Sequence, residues 1–460
     1  MRKLIFLIGC AGAFNTNAQV LSPEKFIEQV RTFHPIAKQA NIKVEKANAA
    51  FLSARGGFDP TIELDASRKT FDGKNYYFST NPELKLPTRI GGMDIKAGVE
   101  DNGGLFLNNQ ITRGQSSYLG VEMPLLKGLL IDQRRANLQQ AVLFSQQSVQ
   151  DRLKMQNDLL FDAYNAYWQW AGSYQLFSIY RQFLQVSLDR FRLVKLAYQN
   201  GDRALIDTIE ALTQVQQFQL LQADAKAKLV NAQLELANFL WNENDAAYLL
   251  NDNLVPDTVQ FQLYLAVEDP EQLINRANTE NPTLRSLAFE LEALEVQRKL
   301  KFQSLLPSLN IKANLLNQGF NVMKDFGGAL LQNNYVWGVQ FKIPIFLREG
   351  QGAYKQAKLK IAETNYELNA KQWSTANKIR SYYAESILLK EQIAAAQQAY
   401  NGYTALLKAE TLRFQNGESS LFLLNTRENK VIETAEKLIQ LRAKYLKASY
   451  GISWAAGLIR

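Results

Sequence analysis

"AYQNGDRALID", residues 197–207, stands inside a stretch that otherwise reads as unbroken helix, and "RFQNGESSLFL", residues 413–423, does the same near the other end of the chain. Gln-Asn-Gly recurs at 199–201 and 415–417, entered through an aromatic residue, Tyr198 or Phe414. Asn and Gly both tolerate positive φ, so each triplet reads as a turn between two helices. The helices on either side are long. No proline occurs across the 131 residues from Leu125 to Val255 or the 116 from Ile345 to the C-terminus, as uninterrupted helix requires. A helix from about Asp132 to Gln199 is roughly 100 Å long at 1.5 Å per residue, and a return helix of about 40 residues follows each turn. Apolar residues at three-and-four spacing, with Gln, Lys and Asp between them, give a narrow coiled-coil seam. Such hairpins cannot bury a large core within one chain, so partner helices are expected from further copies.

The repeated turn is one part of a duplication. "HPIAKQA" (34–40) answers to "NPTLRSL" (281–287), and Pro35 to Pro60 spans the same distance as Pro282 to Pro307. "FDPTIELDA" is matched by "LLPSLNIKA", and "YLGVEMPLL" (118–126) by "VWGVQFKIPIF" (336–346). Offsets between the copies are 247 residues (His34 to Asn281), 247 (Pro60 to Pro307), 220 (Pro124 to Pro344) and 216 (Gly201 to Gly417). The first copy therefore carries 27 extra residues, 247 less 220, between its strand-like segments. Each copy reads as a helix (about 22–55 and 270–304), strands, then the long hairpin.

The strand segments alternate with period two. Ile62, Leu64 and Ala66 oppose Glu63, Asp65 and Ser67; Leu309, Ile311, Ala313 and Leu315 oppose Ser308, Asn310, Lys312 and Asn314; Tyr335, Trp337, Val339, Phe341 and Ile343 oppose Val336, Gly338, Gln340 and Lys342. Such a strand fits between lipid and a watery lumen; a half-buried strand of a soluble sandwich writes the same pattern. Aromatics near the strand ends (Tyr76, Tyr77, Phe78, Tyr335, Trp337) and an export signal tilt the reading toward a membrane.

That signal is at the start. Arg2-Lys3 precede the apolar "LIFLIGCAGAF" (4–14), and Thr16 and Ala18 suit a cut after Ala18. Leu7-Ile8-Gly9-Cys10 also has lipobox-like chemistry, so lipidation at Cys10 stays open. No segment holds 18 consecutive apolar residues, so any span of the mature chain must be β. The net charge of +8 is interspersed rather than gathered in a stripe, which argues against nucleic acid. One histidine (His34) and one cysteine supply too few parts for a zinc site, a Cys-His nucleophile or a Ser-His-Asp triad, so only carboxylate-based catalysis stays open, and no metal or cofactor is expected. The expected organisation is a signal peptide, 1–18; a first repeat, 19–255, with strands at about 59–124 and a hairpin at about 128–242; and a second repeat, 256–460, with strands at about 307–344 and a hairpin at about 350–455.

Taken together, the duplication, "NPTL" (281–284), "LPSLNI" (306–311), "GVEMPLL" (120–126), "GVQFKIPIF" (338–346) and the two aromatic-x-x-Gly turns resemble the TolC-like outer-membrane efflux proteins over the whole mature chain. "FLWNEN" (239–244) looks like the Bacteroidetes-type variant. The resemblance implies a mainly α protein with membrane β: a homotrimer in which four strands per protomer close a twelve-stranded β-barrel in outer-membrane lipid, above a long α-barrel in the periplasm. It implies a passive, non-enzymatic exit duct for efflux or type I secretion, docking with a periplasmic adaptor (membrane fusion) protein and an inner-membrane transporter. By position it places Tyr198, Gly201, Arg203, Phe414 and Gly417 in a periplasmic tip gate. Asn200, Asp202, Ala204, Asn416, Glu418 and Ser420 fall in the adaptor-docking tip, and Asp207 and Glu210 in an anionic constriction. Two departures stand out. The second repeat has Leu423 and Thr426 where a known relative carries charges, and Asp202 and Glu418 replace a common leucine.

Plainer readings accompany these. Asp207 and Glu210 also suit a solvated helix face, with Arg203 pairing Asp207 at i,i+4. His34 reads as a helix-adjacent residue, since its counterpart is Asn281. Tyr164, Tyr167, Trp168 and Trp170 read as seam. The functional alternative is an exported periplasmic coiled-coil scaffold or binding protein without a channel.

Overall fold

The computed structural model describes residues 19–251, 253–320 and 333–459; the signal segment, Cys10 and the cleavage point after Ala18 lie outside the described residues. The chain divides into two compact units that are not the two repeats. One takes residues up to Ala40, Leu153–Asn281 and Trp373 onward; the other takes Asn41–Arg152 and Pro282–Gln372, so each draws on both copies. Two helices run through both units: α3, Gln133–Gln199, and α7, Arg348–Gln415.

In the first unit, α3 and α7 each reverse into a return helix, α4 (Leu205–Ala237) and α8 (Leu421–Ala456). Shorter helices α1 (Pro23–Phe33) and α5 (Pro270–Glu280) also belong to it and precede α2 (Pro35–Gly56) and α6 (Pro282–Phe302), which fall mostly and wholly in the second unit. The single helices expected over 22–55 and 270–304 are therefore each broken in two. The break falls on the residue before proline, where the ring disfavours helical geometry: His34 has ψ 134° and Asn281 ψ 121°.

A large aromatic cluster fills this unit, so the chain buries a larger core of its own than the narrow seams of its hairpins predict. Trp170 and Tyr167 are fully buried beside Trp168, Phe26 and Phe261. Tyr164 stacks on Tyr450, and Phe161 on Trp454. The Tyr167 hydroxyl donates to the Leu21 carbonyl at 2.6 Å and accepts from the Asp257 N–H at 3.0 Å. It thereby anchors both strands of a small parallel pair, β1 (Gln19–Leu21) and β6 (Leu254–Pro256). The Tyr-Trp group is thus core rather than a ligand platform.

The second unit holds an antiparallel sheet. Its strands are β2 (Thr61–Phe71), β3 (Lys74–Pro87), β4 (Asp94–Gly103), β5 (Gly114–Pro124), β7 (Ser308–Gln318) and β8 (Tyr335–Lys342), in the order β2-β3-β4-β5-β7-β8. Four barrel strands per chain are expected from the resemblance, and among the described residues this sheet has six. The duplication explains the difference: β2 corresponds to β7 and β5 to β8, while β3 and β4 form the segment present only in the first copy.

Candidate functional site

The two hairpin ends lie in the helical unit and share one geometry. In the first, the Gly201 N–H bonds to the Tyr198 carbonyl at 3.0 Å and the Asp202 N–H to the Ala197 carbonyl at 2.9 Å. In the second, Gly417 bonds to Phe414 at 3.1 Å and Glu418 to Arg413 at 2.8 Å. This is the Schellman closure of a helix, which needs a left-handed residue after the cap. Gly201 and Gly417 supply it at φ 83° and 78°. The aromatic-x-x-Gly spacing is thus the spacing between the carbonyl acceptor and the left-handed glycine.

Other residues join the two ends. The Arg203 guanidinium lies 4.7 Å from the centre of the Phe414 ring and 3.9 Å from Asp207. Asn425 of α8 donates to Glu210 of α4 at 3.2 Å. Arg190 of α3 reaches Asn425 at 3.3 Å and grips the Glu428 carboxylate through both terminal nitrogens, one of them at 2.8 Å. Gln214 donates to Asn429 at 3.1 Å. A small apolar cluster of Val194, Ala211 and Leu421, with Phe191 and Phe414 against it, sits beside these polar contacts. Glu410, also buried, accepts from the Ser419 hydroxyl and lies 3.9 Å from Arg413.

Of the residues singled out from sequence, Arg203, Phe414, Asp207 and Glu210 therefore meet contacts that link or brace the hairpins. Gly201 and Gly417 make the turns, with Asn200 and Asn416 as the residues just before them. Ala204 and Ser420 begin the return helices, and Ser420 alone caps its helix, accepting from the Leu423 N–H at 3.3 Å. Tyr198, Asp202 and Glu418 are exposed. Arg190, Asn425, Glu428 and Glu410 escaped the sequence reading. Their signal was present: Glu428, only 2% exposed, falls on the stripe Leu421, Leu424, Val431, Ala435 that faces the core. A charge on an apolar seam requires a partner.

The sheet has two distinct faces. One continuous row runs Ile62, Leu84, Ala97, Leu119, Leu315, Tyr335, and beside it lies Leu86, Ile95, Val121, Ala313, Trp337. This face is apolar and open: Ile62 is 80% and Trp337 67% exposed. The opposite face is charged and cross-linked. Lys96 bridges Glu83 at 3.4 Å and Glu122 at 2.9 Å; Lys312 reaches Glu122 at 3.6 Å, and Lys85 reaches Asp94 at 3.3 Å. Among the described residues no cluster of acidic, histidine or cysteine side chains could hold a metal, and no helix is apolar enough to cross a membrane.

Residues 27–240 and 273–458 match the outer membrane efflux protein family, and the chain belongs to that family. No curated protein matches it. Its fold is that of solved outer-membrane channels. The OprN channel superposes with a TM-score of 0.68 at 14% identity, covering 95% of this chain and 89% of OprN. The Campylobacter jejuni CmeC channel gives 0.66 at 14% identity, over 95% and 85% of the two chains. The open state of the Neisseria gonorrhoeae MtrE channel gives 0.66 at 14% identity, over 95% and 88%. An efflux-channel family and an α-barrel plus β-barrel fold account for a chain rich in seams and faces.

Proposed function

We propose that the protein is the outer-membrane exit duct of a tripartite efflux or type I secretion assembly. It acts as a homotrimer that extends into the periplasm and docks there with an adaptor and an inner-membrane transporter. The observation that carries this reading is the sheet. Its outer strands, β2 and β8, have no further strand partner among the described residues, and one face is apolar while the other is charged. Unpaired edges are not tolerated in lipid. Pairing β2 of one copy with β8 of the next satisfies both edges, turns Ile62, Val339 and Trp337 to lipid, and encloses the charged face around water.

In the helical unit, the hairpin tips expose Leu205, Ile206, Ile209 and Phe422. That is more apolar surface than a solvated tip needs, and it suits contact with neighbouring copies and an adaptor. Arg203, Tyr198 and Phe414 gate this end, and Asp207 and Glu210 line its constriction. Three copies of the two carboxylates attract cations.

Outer-membrane fractionation and detergent extraction test the duct: a trypsin-resistant trimer is expected, and recovery as a soluble monomer overturns it in favour of a periplasmic scaffold. In planar bilayers, Asp207→Ala with Glu210→Ala should lower cation selectivity. Unchanged selectivity and conductance would mean that these carboxylates serve only Arg203 and Asn425 of their own chain. Arg203→Ser should raise the conductance of the closed channel.

A further inference from the structure

The hairpin β3–β4 occurs in one copy of the unit only, and the other copy is its internal control. In the second copy the two corresponding strands, β7 and β8, pair directly. In the first, β2 and β5 are held apart by two inserted strands, each hydrogen-bonded to its neighbours along its length. The insertion lies in the middle of the sheet and not at its rim.

Four observations make these strands part of the wall. They are long enough: β3 has 14 residues and β4 has 10, against about 9–11 for a strand that crosses a membrane. They keep the pattern: Leu84, Leu86, Ile95 and Ala97 continue the apolar rows, while Glu83, Lys85, Asp94 and Lys96 continue the charged face. They are locked in from the side. A Cβ on Gly98 of β4 would come within 2.5 Å of the Tyr118 ring, so the glycine lets Tyr118 of β5 cross β4 and donate its hydroxyl to Glu83 of β3. They are also tied at the helix end. Arg134, at the start of α3, bonds Asp94 at 2.8 Å and the Gly92 carbonyl at 3.4 Å, and the Arg89 guanidinium lies 5.6 Å from the centre of the Phe58 ring.

We infer, resting on the trimeric duct proposed above, that each chain gives six strands to the transmembrane wall, so that three copies close an eighteen-stranded barrel. Barrel diameter grows roughly linearly with strand number, so this barrel is about one and a half times as wide as a twelve-stranded one. Measured across the strands at about 4.8 Å each, the wall is about 86 Å wide instead of about 58 Å, and strand tilt enlarges both circumferences further. Its charged face is largely self-neutralised by the pairs on Lys96, Lys85 and Lys312, so it selects little by charge. The outer-membrane stage of this duct then admits bulky hydrophilic cargo, sorted by width.

The trimer purified from outer membranes, viewed along its axis by cryo-electron microscopy, should show eighteen strands. A trimeric barrel of twelve, with β3–β4 folded away from the wall, overturns the inference and leaves the duct intact; absence of any trimeric barrel overturns the duct itself. In planar bilayers, neutral polyethylene glycols of graded size added on the strand side should enter up to about one and a half times the radius admitted by a variant lacking residues 74–103. That variant keeps 104–113 to join β2 to β5 as β7 joins β8. An equal cut-off for the two proteins overturns the inference. If the shortened chain does not assemble, the strand count of the wild-type trimer decides.

Discussion

The first and second hairpin ends share the same Schellman turn, glycine for glycine, yet the helices leaving them start differently. Ser420 caps α8 with its own hydroxyl, whereas Ala204 begins α4 with no side-chain acceptor. The first end carries the partly exposed charges, Arg203 and Asp207. The second carries the buried ones, Glu428 and Glu410. A turn geometry set by one glycine can thus be duplicated while the polar contacts around it diverge. The second copy holds its carboxylates buried, Glu428 fixed by Arg190 of the first copy, while the first copy's own Arg203–Asp207 pair stays partly exposed.

The strongest way to break this comparison is to remove the fixed charge. Glu428→Ala strands Arg190 with its guanidinium largely buried, and breaking a buried ion pair in this way costs about 3–5 kcal/mol. Melting of the detergent-extracted protein should fall well below wild type, and Arg190→Met with Glu428→Leu should recover much of the loss. If the double variant is as unstable as the sum of the single ones, Arg190 and Glu428 are not a coupled unit.

Exchanging the caps sharpens the contrast. Ser420→Ala should cost about 1 kcal/mol, and Ala204→Ser should recover a similar amount on the other side. Amide exchange reads both changes locally: protection at Leu423 should drop in the first variant, and protection over 205–208 should rise in the second. Equal responses at both ends would show that capping does not separate them.

A smaller effect belongs to the contact that crosses from one end to the other. Arg203 over Phe414 is partly exposed, so a double-mutant cycle with Arg203→Gln and Phe414→Leu should give a coupling of about 0.5–1 kcal/mol. A coupling near zero would assign Arg203 to Asp207 alone.

Much of this was legible in the sequence. The duplication, the long hairpins and the period-two strands follow from the spacing of prolines, glycines and apolar residues, which local geometry dictates. The helix breaks at His34 and Asn281 were missed, although each stands before a proline and so carried its signal. The β3–β4 insertion could be counted but not placed: its residues alternate like the other strands, and alternation does not say which strand is whose neighbour. The Arg190–Glu428 pair was hidden for a related reason. Each residue shows its charge in the sequence, but their meeting depends on the register between α3 and α8, which sequence spacing within either helix does not set.

The smallest effect is expected at the helix junctions. His34 and Asn281 occupy equivalent breaks, and both are buried. Asn281 donates to the Ala455 carbonyl at 3.1 Å. His34 accepts from the Ile36 N–H at 3.2 Å and packs against Phe239 and Trp241, with the Lys38–Asp245 ion pair one turn along. Burial holds the His34 imidazole below its ordinary 6.5, against a smaller opposing pull from the Asn238 backbone. The unfolded chain therefore binds a proton more readily than the folded one. The stability that follows is complete above pH 6.5 and is lost as the pH falls from there toward the lowered folded value. His34→Asn copies the second repeat and cannot titrate, so its melting temperature should fall less than that of wild type on acidification through this window. Parallel pH profiles for the two proteins would mean that His34 charges as easily in the fold as outside it, and that the two junctions differ only in name.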